Sequence, residues 1–168
     1  MSYRDATYVI FDGDEDGWAY RYMRGWRVNE RVEFDFRDAH DVQQLTSRAQ
    51  DENYIKSALW TRMNSTSQVL VLIGTKTKNL YRYVRWELEL ALEKCLPIVA
   101  ANLNNSQVQD ERCPPVIRDK CVLHIPFRMK AIKHALDAWP TEHKGLSPVE
   151  LAKGWRYFPN DVHAKLGI

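Results

Sequence analysis

The most constraining segment of the chain is Gln68-Val69-Leu70-Val71-Leu72-Ile73, an apolar run without alternation between Ser67 and Gly74. A strand with one wet face alternates apolar and polar residues. One without alternation needs cover on both faces, as a central strand of a parallel sheet has. Helical patterns flank the run on both sides. Asn53–Asn64 carries Ile55, Leu59 and Met63 at i, i+4 and i+8, and Leu80–Cys95 is stopped by Pro97. Helices on both sides of a doubly covered strand point to a layered α/β architecture.

The other segments fit the same scheme. Thr7–Phe11 reads as a buried strand stopped by Asp12-Gly13-Asp14, and a helix follows from Gly17 to Trp26. Val32–Phe36 alternates and makes a second strand, Pro97–Ala101 a fourth and Cys121–Ile125 a fifth, with a helix over Arg128–Trp139. The expected fold is a flavodoxin-like three-layer α/β domain with a five-stranded, mostly parallel sheet. In such sheets ligands collect beyond the carboxyl ends of the strands. That gathers residues 11–16, 36–40, 74–79 and 101–105 around one candidate pocket. The domain is expected to span residues 1–139, with a C-terminal extension over 140–168. Within the extension, Ser147-Pro148-Val149-Glu150 is a capping box with proline at the first helical position, opening a short helix that stops at Gly154. Trp155, Tyr157 and Phe158 then need burial, on the domain or in a contact between subunits.

A chain of 168 residues is about one domain and long enough to bury a core without disulfides or a structural metal. Its 24 basic and 22 acidic side chains leave a net charge of +2, too balanced for a dedicated nucleic-acid or membrane-surface binder. Lys76, Lys78, Arg82 and Arg85 do interleave with Tyr81 and Tyr83, but the patch is thin, so nucleic acid is not an expected partner. No apolar run approaches the roughly 18 to 20 residues that span a bilayer. Met1–Asp5 lacks the long apolar stretch of a secretory signal. Cys95, Cys113 and Cys121 are odd in number without CxxC spacing, which supports neither a disulfide framework nor a cysteine metal site. A cytoplasmic location is expected, with no membrane and no metal.

One helix carries the candidate chemistry. At ~100° per residue, Leu80, Val84, Leu88, Ala91 and Cys95 of Leu80–Cys95 form the expected buried stripe. Arg82, Arg85, Glu89 and Glu93 form the outer face, with Arg85 and Glu89 an i,i+4 pair. Glu87 differs. It falls between Tyr83 and Ala91, about 60° from Val84, and so points toward the sheet from the half of the helix nearest the strands' carboxyl edge. A carboxylate aimed at a core is costly unless an arginine or lysine pairs with it or the site is a cleft. Both readings stay open on pattern alone. The loop Gly74-Thr75-Lys76-Thr77-Lys78-Asn79 is a weak phosphate cradle, with a glycine for close approach, free N–H groups at the next helix and two lysines. The string Asp12-Gly13-Asp14-Glu15-Asp16 reads as charge at a helix N-terminus, with contact to a ribose or a cation as the alternative.

Several short pieces recur in a familiar order: Phe11-Asp12 closing the first strand, Trp26 ending the first helix and Phe34-Asp35-Phe36 followed by Asp38. Ile55-Lys56 with Leu59, Ile73-Gly74 with Thr77, and Val84-Arg85-Trp86-Glu87 followed by Ala91 complete the set. Over roughly residues 7–103, and more weakly to 139, the chain resembles the TIR-like family of the ThsB type from bacterial Thoeris antiphage systems. It departs from that pattern at Ile10 and His40, where the family often has serine. The resemblance implies cleavage of the nicotinamide–ribose bond of NAD+ and an ADP-ribose-derived, cyclic signal. Glu87, four residues after the aromatic Tyr83, is the catalytic residue it implies. Phe11, Asp12, Phe36, Asp38, Gly74, Thr75, Thr77, Tyr83 and Trp86 are the implied substrate contacts. NAD+ would be a substrate, with no resident cofactor. A phage-derived activator, an effector reached through the product and a second copy of the chain are the partners implied.

A single carboxylate suits that chemistry. The leaving nicotinamide is a cationic pyridinium that departs neutral, so no general acid is needed. The ribose develops oxocarbenium character, which a nearby anion stabilises, most strongly away from water. Three rivals are weighed against this reading. A phosphoacceptor receiver needs an aspartate ending the third strand, and Ile73-Gly74-Thr75 has none. A nucleoside deoxyribosyltransferase uses a carboxylate as nucleophile but fits the residue pattern less well. A non-enzymatic TIR-like scaffold that signals by assembly stays open.

Overall fold

A computed structural model describes residues 6–28, 37–38, 52–80 and 82–168. The strands are β1 (Ala6–Ile10), β2 (Arg37–Asp38), β3 (Gln68–Ile73), β4 (Ile98–Asn102), β5 (Val122–Pro126) and β6 (Arg156–Tyr157). The α-helices are α1 (Gly17–Val28), α2 (Glu52–Asn64), α3 (Tyr83–Glu93), α4 (Met129–Gly145), α5 (Pro148–Leu151) and α6 (Asn160–Leu166). Among the described residues the strands form one sheet in the order β2-β1-β3-β4-β5-β6, every pairing parallel. This is the flavodoxin-like order, extended by one strand at the β5 edge.

The alternation hidden inside the apolar strands decides which helix covers which face. Val9, Leu70, Leu72, Val99, Ala101, Leu123 and Ile125 pack with Ala19, Tyr20 and Met23 of α1 and with Ala131, Ile132, Ala135, Leu136 and Trp139 of α4. Tyr8, Ile10, Val69, Val71, Ile73, Ile98, Ala100 and Val122 face the other way. They meet Ile55, Leu59 and Met63 of α2 and Val84, Leu88 and Ala91 of α3. All six residues of β3 are buried, as the doubly covered position requires.

Four expectations need correction. The sheet has a sixth strand, β6, from the C-terminal segment, registered as Leu123↔Arg156 and His124↔Tyr157. Gly154, at φ 84°, turns the chain into it in a region that favours glycine. Of the three aromatic residues there, Phe158 is buried and Trp155 half-buried, whereas Tyr157 is exposed at the sheet edge. The helix expected to end at Trp139 runs through Pro140 to Gly145. The proline lacks an N–H and crowds the carbonyl four residues back, but Trp139 and Pro140 are both buried, and that burial offsets the lost bond. Finally, α3 ends at Glu93, and Cys95 is exposed at φ 52°, not part of the buried stripe. The second strand expected at Val32–Phe36 lies outside the described residues.

Candidate functional site

The strand order reverses between β1 and β3, the point at which sheets of this kind open a crevice beyond their carboxyl ends. The segment after β1 forms a tight turn in which Asp12 Oδ1 accepts from the N–H groups of Asp14 (3.0 Å) and Glu15 (3.3 Å). Asp16 then reaches across to the loop after β3. Its Oδ2 accepts from Thr77 Oγ1 at 3.2 Å, and Thr77 Oγ1 accepts from the Gly74 N–H at 2.8 Å. Asp16 and Thr77 are buried, and burial raises the Asp16 pKa against the opposing Thr77 bond. A methyl group on residue 74 would lie 2.2 Å from both Asp16 carboxylate oxygens. The close approach that Gly74 permits therefore serves the chain's own Asp16. Lys76 pairs with Glu15, and Thr75 is exposed. The phosphate cradle expected over residues 74–79 is thus already occupied by an anion and its partners.

Beside this latch lies a cavity of about 280 Å³, lined among others by Phe11, Asp12, Asp14, Asn79, Arg82 and Tyr83. Phe11 stacks on Tyr20 with ring centroids 4.7 Å apart. The Arg82 guanidinium lies 5.7 Å from the Tyr83 ring. Asn79 belongs to the loop expected at this pocket, whereas Arg82 was not expected here. The helix was expected to begin at Leu80, which puts Arg82 on the outer face. Instead Thr77–Asn79 forms a 3₁₀ turn, and α3 begins only at Tyr83. Arg82 precedes it with φ −115° and ψ −92°, out of helical phase, and lines the cavity with Phe11 and Asp12.

Glu87 lies one turn farther along α3, inside the protein rather than at the strands' carboxyl edge. Its carboxylate is buried and accepts at Oε1 from the Tyr8 hydroxyl at 2.7 Å. Tyr8 is three residues before Phe11, roughly 10 Å down the strand. Burial pushes the Glu87 pKa up to about 7, against the Tyr8 hydrogen bond and the positive charge of Arg62, which both pull it down. Trp86 packs edge-on against Tyr83, with ring centroids 5.7 Å apart, and the Arg82 guanidinium lies 5.6 Å from its ring. Trp86 also meets α2, with Lys56 Nζ 4.6 Å from its ring, and lines a groove with Leu59 and Trp60. The structure thus brings Phe11, Asp12 and Tyr83 together, sets Glu87 one turn deeper and places Trp86 behind Tyr83, against α2, off the cavity lining. The backbone of Asp38 pairs with Thr7, and Phe36 lies outside the described residues.

A family model for the TIR-like domain of the Thoeris protein ThsB matches residues 8–108. The chain belongs to that family. The match begins at Tyr8, within the first strand, and takes in the switch-point latch, every residue named on the cavity and Glu87. No curated protein matches the chain. Among the described residues of this TIR-like chain, no helix is long and apolar enough to cross a membrane. Among the same residues, no group of three or more His, Cys, Asp or Glu side chains is placed to hold a metal ion.

Proposed function

We propose that this TIR-like protein of the Thoeris family cleaves the nicotinamide–ribose bond of NAD+ and makes an ADP-ribose-derived, cyclic signal in antiphage defence. The observation that carries the reading is Glu87. A buried carboxylate with a pKa raised to about 7, one helical turn below a cavity at a topological switch point, is a candidate functional acid. Glu87 supplies the anion that offsets positive charge on the ribose. Phe11 and Tyr83 offer flat apolar surfaces to an aromatic base. Arg82 is the cation for a pyrophosphate, a role that the loop over Gly74 was first expected to fill. Asp12 and Asp14 stand where ribose hydroxyls can donate. A phage-derived component switches the activity on, and the product reaches an effector by diffusion.

A non-enzymatic scaffold is the second reading. It is favoured by the fact that the Tyr8 hydroxyl already donates to Glu87 within the fold, with the positive charge of Arg62 nearby, as in a structural polar cluster. Chromatography of NAD+ incubated with the protein, alone and with extract from phage-infected cells, separates the two. Nicotinamide release that falls roughly 100-fold in Glu87→Gln and stays near wild type in Glu89→Gln supports the enzyme. Glu89 is an exposed partner of Arg85 at 2.7 Å, worth ~0.5 kcal/mol at most. Release that is equal in wild type and Glu87→Gln would sink the mechanism, and no release under either condition favours the scaffold.

A further inference from the structure

We propose that Tyr8 is the positioning residue of this site, with its hydroxyl clamping one oxygen of Glu87 and, backed by Arg62, favouring the charged form that the reaction uses. The inference rests on the NAD+ reading and assigns how its central group is held.

The demand for a hydroxyl at residue 8 is what singles it out. Tyr8 points from β1 toward α2 and α3 and is fully buried. Ile10, on the same face two residues later, fills an equivalent place with hydrocarbon alone. A buried phenol must find a polar partner, so a tyrosine here brings a constraint that phenylalanine would avoid. Its partner is the Glu87 carboxylate, at 2.7 Å, the length of a charge-assisted hydrogen bond. The Arg62 side chain, from the last turn of α2, reaches the same phenol and acts on both groups. Three elements thus meet in a line of guanidinium, phenol and carboxylate.

The described core on this side of the sheet is otherwise largely apolar. From β3 it has Val69, Val71 and Ile73. The helix of Glu87 adds Val84, Leu88 and Ala91, and the turn over Pro115–Ile117 adds Ile117. Lys56 of α2 is engaged over the Trp86 ring. Tyr83 is exposed, one turn nearer the cavity. Among the described residues, then, Tyr8 and Arg62 are the groups that hold the charge on Glu87. Burial and the neighbouring carboxylate push the Tyr8 pKa far above its usual value. The phenol keeps its proton at every physiological pH, so it donates to Glu87 while its oxygen accepts from Arg62, and it does not act as a base.

Tyr8→Phe tests this because it keeps the ring and removes only the donor. In nicotinamide release measured against pH, the acid limb should move to higher pH. Turnover at pH 7 should fall roughly 10-fold with KM little changed, and should recover toward wild type at pH 9. A packing defect would lower activity equally at all pH values, so a loss without pH dependence overturns the role. A second readout needs no activity. The stability gap between a protein carrying Glu87 and its Glu87→Gln counterpart depends on pH, and its midpoint should rise when Tyr8 is replaced by Phe. An unmoved midpoint overturns the clamp. Absence of nicotinamide release from the wild type overturns the NAD+ reading separately, with the stability midpoint still deciding whether Tyr8 holds the carboxylate. If Tyr8→Phe does not fold, Arg62→Gln removes a charge that acts in the same direction and carries the same expectations.

Discussion

Replacing Glu87 by glutamine should stabilise this protein, and by an amount that depends on pH. The carboxyl pKa is raised from 4.5 to about 7 by burial. As pH rises past 4.5, the unfolded chain gives up this proton while the native state keeps it until about 7. Over that window the native state is the one with more protons bound, so stability falls as pH rises. At about 1.4 kcal/mol per unit, the loss accumulates to about 3 kcal/mol. It is absent below the unfolded value and complete above the folded one. Glutamine does not titrate, matches the shape and still offers Tyr8 a carbonyl oxygen. The stability gap between Glu87→Gln and wild type should therefore widen by about 3 kcal/mol from pH 4 to pH 8, or roughly 6–12 °C in Tm for a chain of this size.

The wild type's own profile would hide the effect. Burial lowers the His124 pKa from 6.5 to about 4. That costs stability as pH falls through nearly the same window, because the unfolded chain takes up a proton that the native state refuses. Comparing the two proteins at each pH cancels His124, which both contain. Urea unfolding followed by tryptophan fluorescence at unit pH steps gives the gap directly. A gap that stays constant with pH would refute the reasoning, since Glu87 would then be no more desolvated in the native state than in the unfolded chain.

Gly74→Ala should cost about 1–3 kcal/mol in the same unfolding measurement, because its methyl would displace the Asp16 carboxylate from Thr77. A change below about 0.5 kcal/mol would show that the latch yields freely. Arg82→Gln should raise KM for NAD+ roughly 10-fold while leaving kcat near wild type, as the loss of a uniform phosphate contact does. An unchanged KM would remove Arg82 from the site.

Patterns within single segments were the legible part of this fold. The unbroken run at β3 placed the central strand, and the helical spacing of Val84, Leu88 and Ala91 pointed Glu87 inward, where its carboxylate is buried. The misses share a physical cause. Arg82 is exposed as its pattern implies, but its place on the cavity is not legible because α3 begins three residues late, behind a 3₁₀ turn that has no side-chain cap to announce it. The space above Gly74 is filled by Asp16, and Glu87 is held by Tyr8, 79 positions away. Contacts of that separation leave no periodic trace in either segment. A two-residue strand such as β6 is likewise too short for alternation to show.

The stretch that similarity recognises and the stretch that can fold differ in length. The family match stops at residue 108, within the connection from β4 to β5. The face of the sheet that α1 covers in part owes the rest of its cover to residues beyond that point, Ala131, Ile132, Ala135, Leu136 and Trp139 of α4 and Phe158 after β6. Cut at the end of the match, the chain would keep α1 but lose α4 from this face, with β4 as a bare edge open to pairing with other chains. Whatever the first 108 residues do chemically, the last third of the sequence gives them a sheet to do it on.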